Sequence, residues 1–90
     1  MKEVIDVREW KESAKELYFS IRKVCDNMPR WFQEQVIKNN LIVGYINHNY
    51  STIVKNACQE DFFISYFFRC VQVDIPENFD WQNYIDTIKF

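Results

Sequence analysis

Glycine is nearly missing from this chain, with one residue, Gly44, in 90, and only two prolines accompany it. Such scarcity excludes glycine-rich loops that cradle phosphate, and it leaves few hinge-like connections. Long apolar runs are missing too. The longest, Leu41 to Ile46, is far below the roughly 20 residues a membrane-spanning helix needs. The N-terminus carries no signal-peptide pattern, so a cytoplasmic setting is expected. Cysteine is sparse: Cys25, Cys58 and Cys70 are odd in number and widely spaced, which argues against a disulfide framework and for a reducing compartment. No internal repeat, linker or low-complexity stretch divides the chain, and residues 1–90 are read as one small domain.

Apolar and aromatic side chains, by contrast, are plentiful. A content of 48% hydrophobic and 18% aromatic residues excludes disorder and suggests aromatic side chains left over for the surface. Charge is unevenly divided. Residues 1–40 carry eight basic and seven acidic side chains, whereas residues 41–90 carry three and six, a balance of −3 that suits nucleic acid poorly. Ile, Phe, Asn, Lys and Tyr dominate over Gly, Ala, Arg and Pro, the signature of AT-rich codons and hence of an AT-rich bacterium, phage or mobile element.

The clearest pattern is a seam of Val7, Trp10, Ala14, Leu17, Ile21, Val24, Met28 and Trp31, spaced alternately by three and four residues. That period predicts one long amphipathic helix from about Val7 to Asn27. Asp6 would cap it, Glu9 would close a capping box, and Ile5 would staple onto Trp10. Pro29 ends it, because the residue before a proline is pushed out of helical geometry. The seam also offers a homodimer interface through Val7, Trp10, Leu17, Ile21 and Val24. A shorter second helix begins near Pro29, turns Phe32 and Val36 inward, and fades at Asn39-Asn40.

The middle of the chain reads as β-structure. Leu41 to Ile46, the turn-forming Asn47-His48-Asn49, and Thr52-Ile53-Val54 suggest a hairpin. Phe62 to Ile75 suggests a third strand, its end alternating with period two. A buried helix over Ser51 to Val71, with Ile53, Ala57, Ile64, Phe67 and Val71 on one side, is the competing reading. Aromatic and β-branched enrichment favours strands. After Pro76, Trp81, Tyr84, Ile85 and Ile88 predict a C-terminal helix capped by Asn78 or Asp80. The expected fold is therefore α+β: a long helix, a short helix, a three-stranded antiparallel meander over about 41–75 and a C-terminal helix, with an all-α bundle as the alternative.

Few residues carry recognisable chemistry. His48 is the single histidine, and pairing it with Cys58 or Ser51 would give a small enzyme, but no elbow or oxyanion loop accompanies it. Cys25, His48, Cys58 and Cys70 lack the close ligand pairs of zinc modules, so neither metal nor cofactor is expected. Arg8, Lys11, Lys15, Arg22 and Lys23 suggest a nucleic-acid-binding regulator, yet Glu9, Glu12 and Glu16 are interleaved with them. The acidic, aromatic end is more suggestive. Phe79, Asp80, Trp81, Tyr84 and Asp86 are the candidate partner-binding residues, since aromatics anchor interfaces and charge steers encounter. The leading expectation is a non-enzymatic protein-binding module, an inhibitor or adaptor of phage type acting on a host protein.

Overall fold

The structure is a computed structural model describing residues 7–88, and these residues form six α-helices with no β-strand among them. The α+β expectation is therefore corrected: residues 41–75 build no meander. The capping roles proposed for Ile5 and Asp6 lie outside the described residues.

Helix α1 spans Glu12–Cys25, shorter than the seam implied, and a separate 3₁₀ turn, Val7–Glu9, precedes it. Its buried stripe is Ala14, Leu17, Ile21 and Cys25, flanked by buried Trp10 and Met28. Cys25 takes the place expected for Val24, because a straight helix of 3.6 residues per turn drifts off a strict heptad by about 20° per repeat. Val7, outside the helix, is exposed. α1 packs against α3 (Leu41–His48), α4 (Tyr50–Lys55) and α5 (Glu60–Cys70). Trp10, Leu17 and Ile21 are thus covered within one chain, leaving none of them open to a second copy. Two polar ties fix the entry to α1: the Trp10 indole Nε1 donates to Asn47 Oδ1 at 2.9 Å, and the Lys11 amide donates to the Tyr50 hydroxyl at 2.9 Å.

The second helix, α2 (Arg30–Lys38), begins after Pro29 and buries Phe32 and Val36, as its one-turn spacing requires. Asn39 closes it, and Asn40 adopts left-handed geometry at φ 53°, which asparagine tolerates better than most residues. The chain then turns at once into α3 rather than into a strand. Ile42 and Ile46 of α3 are buried one turn apart, and Ile53 of α4 extends the same stripe past a kink at Asn49. In α5 the buried side chains are Phe63, Ile64, Phe67 and Phe68, two adjacent pairs one turn apart. That stripe identifies a helix, and its aromatic density is what made it resemble a strand.

Residues 71–75 lie outside any helix, with Val71 and Val73 half-buried and Gln72 and Asp74 exposed, so the period-two alternation holds as far as Asp74 and fails at exposed Ile75. No strand pairs with them. Instead the Gln35 side chain supplies both bonds a neighbour would offer: its Nε2 donates to the Asp74 carbonyl at 2.8 Å, and its Oε1 accepts from the Asp74 amide at 2.7 Å. A left-handed Asn78 (φ 71°) then turns the chain into α6 (Trp81–Thr87). Of the two caps proposed for it, Asp80 serves, its Oδ1 accepting from the Asn83 amide at 3.2 Å. α6 is held to the body by an aromatic cluster. Trp81 stacks on Phe32 with centroids 5.0 Å apart, and its edge meets Trp31 at 5.5 Å.

Candidate functional site

The aromatic side chains of the acidic, aromatic end are half-buried against the body, while Asp80 and Asp86 are exposed. Phe79 packs on Trp31 (5.3 Å) and Tyr84 (5.5 Å), and Tyr84 stacks on Trp81 (5.8 Å). Asp80 caps α6. Asp86 accepts from Arg69 Nη1 and from Gln82 Nε2, both at 3.1 Å, and these donors hold its carboxyl below the usual carboxylate range. A depressed value stabilises the fold above the unfolded pKa near 4 and is lost as pH falls through the folded one. With both partners about half exposed, solvent screening keeps that contribution small. Each of the five residues thus has a structural task.

His48 lies on α3, not in a hairpin turn. It shares an open groove of about 520 Å³ with Cys70, Tyr45 and Tyr66, whereas Cys58 and Ser51 do not line it. Of the thiols, the fold places Cys70 and not Cys58 in the groove with His48. Tyr45 donates to the Phe63 carbonyl at 2.8 Å, and burial raises its pKa, with Cys70 and Tyr66 adding to the effect. Tyr66 shares a hydrogen bond with Cys70 that raises the phenol's pKa. High phenol values suit hydrogen-bond donation and not nucleophilic attack. No group of three or more His, Cys, Asp or Glu side chains is arranged to hold a metal among the described residues.

The three thiols differ sharply. Cys25 is buried, and its pKa is pushed up to about 12 chiefly by burial, with Asp26 adding and Arg22 opposing. Cys58 and Cys70 are exposed. Iodoacetamide at neutral pH is accordingly expected to modify two thiols in the native protein and three after denaturation, read by intact mass. A native adduct on Cys25 would mean that the α1 stripe opens readily.

A second surface follows the flank of α1 that faces α2 and α3. Three adjoining depressions of about 380, 90 and 30 Å³ run along it, the first two sharing Tyr18 and the last two sharing Arg22, Val36 and Ile37. Two apolar side chains on this surface stand largely in solvent, Phe19 at 67% and Ile37 at 65% exposed. Lys15 lines the first depression, and Arg22, which donates to the Tyr18 hydroxyl at 3.1 Å, lines the other two. Neither cation forms an ion pair among the described residues. At 100° per residue, Lys15, Tyr18, Phe19 and Arg22 share one flank of α1, Glu12 borders it at about 60° from Lys15, and Glu16 lies about 100° away. The opposite flank turns to α5, where the Ser20 hydroxyl donates to Glu60 Oε1. The depressions are lined by three cations, Arg8, Lys15 and Arg22, against one acid, Asp26, so the face is cationic on balance although acids border it.

No protein-family model matches the chain, and no curated protein or solved structure matches it significantly. Nothing in the structure supports a phage origin or an inhibitory role, and both expectations are withdrawn. No helix among the described residues is long and apolar enough to cross a membrane.

Proposed function

We propose that this chain is a non-enzymatic protein-binding module that docks an acidic, amphipathic segment of a partner along the α1 flank. The observation that carries the reading is the joined set of depressions, with exposed Phe19 and Ile37 and a lining of three cations, Arg8, Lys15 and Arg22, against one carboxylate, Asp26. Exposed apolar side chains collected along a groove mark an interaction surface more often than chance does. A helix presenting apolar residues at i, i+3, i+4 and i+7 suits such a groove, and acids on its flanks would meet Lys15 and Arg22. The exposed thiols of Cys58 and Cys70 favour a reducing compartment, and we place the protein in the cytoplasm.

The test is selection from a yeast-displayed library of helical peptides with the intact protein as bait. Enriched peptides should be acidic on one face and apolar on the other, bind less tightly as salt rises, and weaken by about tenfold or more on Lys15→Glu with Arg22→Glu. Phe19→Ala should speed dissociation, as loss of an aromatic anchor does. Two results would overturn the proposal: enrichment of peptides with no acidic bias, or salt-dependent binding to random-sequence duplex DNA with no peptide enriched. The second would give this flank to nucleic acid.

A further inference from the structure

The groove between α3 and α5 differs in kind from the α1 flank. In a chain where 27% of residues are charged, none of the twelve residues around this groove of about 520 Å³ is Lys, Arg, Asp or Glu. Its size lies within the roughly 300–1,000 Å³ of small-molecule sites. Four of its polar side chains are carboxamides, Asn39, Asn40, Asn49 and Gln72, beside His48, Cys70 and two tyrosines. The side chains of Asn40 and Gln72 have no partner among the described residues, and Asn49 uses only its Nδ2, donating to the Tyr45 carbonyl at 2.9 Å. Tyr45 and Tyr66 supply aromatic surface from the two helices, with ring centroids 6.3 Å apart, and Phe62 stacks on Tyr66 at 5.8 Å and braces it.

Gly44 provides the second, independent observation. It is the chain's single glycine, it sits inside α3, and glycine there is less favourable than alanine. Its φ is not positive, and a Cβ added to it would meet no atom within 4 Å. Neither backbone geometry nor internal packing accounts for the glycine. What it does is keep the wall of this groove free of a side chain.

We infer that the α3–α5 groove binds an uncharged, planar, hydrogen-bonding ligand, with an adenine base as the chemistry that fits best. Carboxamides present a donor and an acceptor side by side, the pattern that pairs with adenine N6 and N7. Exposed tyrosine supplies a stacking surface for a base. No Lys or Arg lines the groove to pair with a phosphate, so the ligand is the nucleoside and not the nucleotide.

The test is a ¹H–¹⁵N correlation titration of the intact protein with adenosine, adenosine monophosphate and methyl glucoside. Adenosine should shift the backbone amides of Gly44, His48 and Gln72 in a saturable way, with the monophosphate binding no more tightly and the glucoside not at all. Gly44→Leu should weaken adenosine by about tenfold or more while melting no lower than wild type. Gly44→Ala, a check on the helix itself, should melt higher and keep most of the binding. Lys15→Glu with Arg22→Glu should leave adenosine binding unchanged, which separates this site from the docking flank. The inference is overturned if low-millimolar adenosine shifts nothing, if Gly44→Leu binds as well as wild type, if the monophosphate binds more tightly, or if the glucoside gives the same shifts.

Discussion

Ile21→Asp is expected to abolish the cooperative thermal transition of this protein, whereas Phe19→Asp, two residues away on the same helix, should preserve it. Ile21 has no solvent exposure and sits at the centre of the α1 stripe, where α3, α4 and α5 converge. An unpaired carboxylate there loses its hydration with nothing to replace it, at a cost of several kcal/mol. The whole stability of a domain is about 5–15 kcal/mol, and one this small belongs near the lower end. Phe19 is 67% exposed, so a carboxylate at that position remains hydrated. Far-UV circular dichroism melts of the two variants decide the matter. An Ile21→Asp protein that melts like wild type would mean that the stripe is not the core.

Phe32→Ala should give the second largest loss. The ring is fully buried and touches three others: Trp81 at 5.0 Å, Phe68 at 5.7 Å and Trp31 at 6.1 Å. Removing it leaves a cavity where α2, α5 and α6 meet, and Phe→Ala changes in cores typically cost about 3–5 kcal/mol. For a domain of this length the melting temperature should fall by about 12 °C or more. Trp31 and Trp81 flank the cavity, so their fluorescence should also shift in the folded variant, independently of the melt. A fall under about 4 °C with an unchanged spectrum would show that α6 does not depend on this cluster.

The helices that could be read in advance share one property: their buried residues recur at three and four and their ends carry chemical punctuation. Pro29 and the Asn39-Asn40 pair bound α2, and Asp80 caps α6 where expected. The misreadings fall where periodicity carries too little information. Leu41 to Ile46 is a short apolar run, and such a run does not separate strand from helix. Its β-branched residues favoured a strand, but that preference mostly reflects packing on a half-buried surface, and here α1 and α2 supply the surface to a helix. In α5, Phe63-Ile64 and Phe67-Phe68 face inward while Phe62 and Tyr66 face outward, so aromatics on both faces hid the stripe.

The candidate sites divide along the same line. The cations of the α1 flank were legible as residues, but only the fold shows that Arg8, Lys15 and Arg22 line one set of depressions with a single acid, Asp26. The α3–α5 groove was not legible at all. Gly44 and Gln72 lie far apart in sequence, and only the packing of α5 on the rest of the molecule makes them neighbours.

By itself, then, the order of residues determined the inward stripe of α1, the limits of α2, the cap of α6 and the absence of a long apolar span. These follow from spacing within one turn and from the chemistry of single residues. Tertiary structure decided that residues 41–70 are helical, that Gln35 and not a strand satisfies Asp74, that Phe79, Trp81 and Tyr84 pack together with Trp31, and which side chains share each groove. Those outcomes depend on contacts between residues distant in sequence, whose burial energies outweigh local preferences of a few tenths of a kcal/mol per residue.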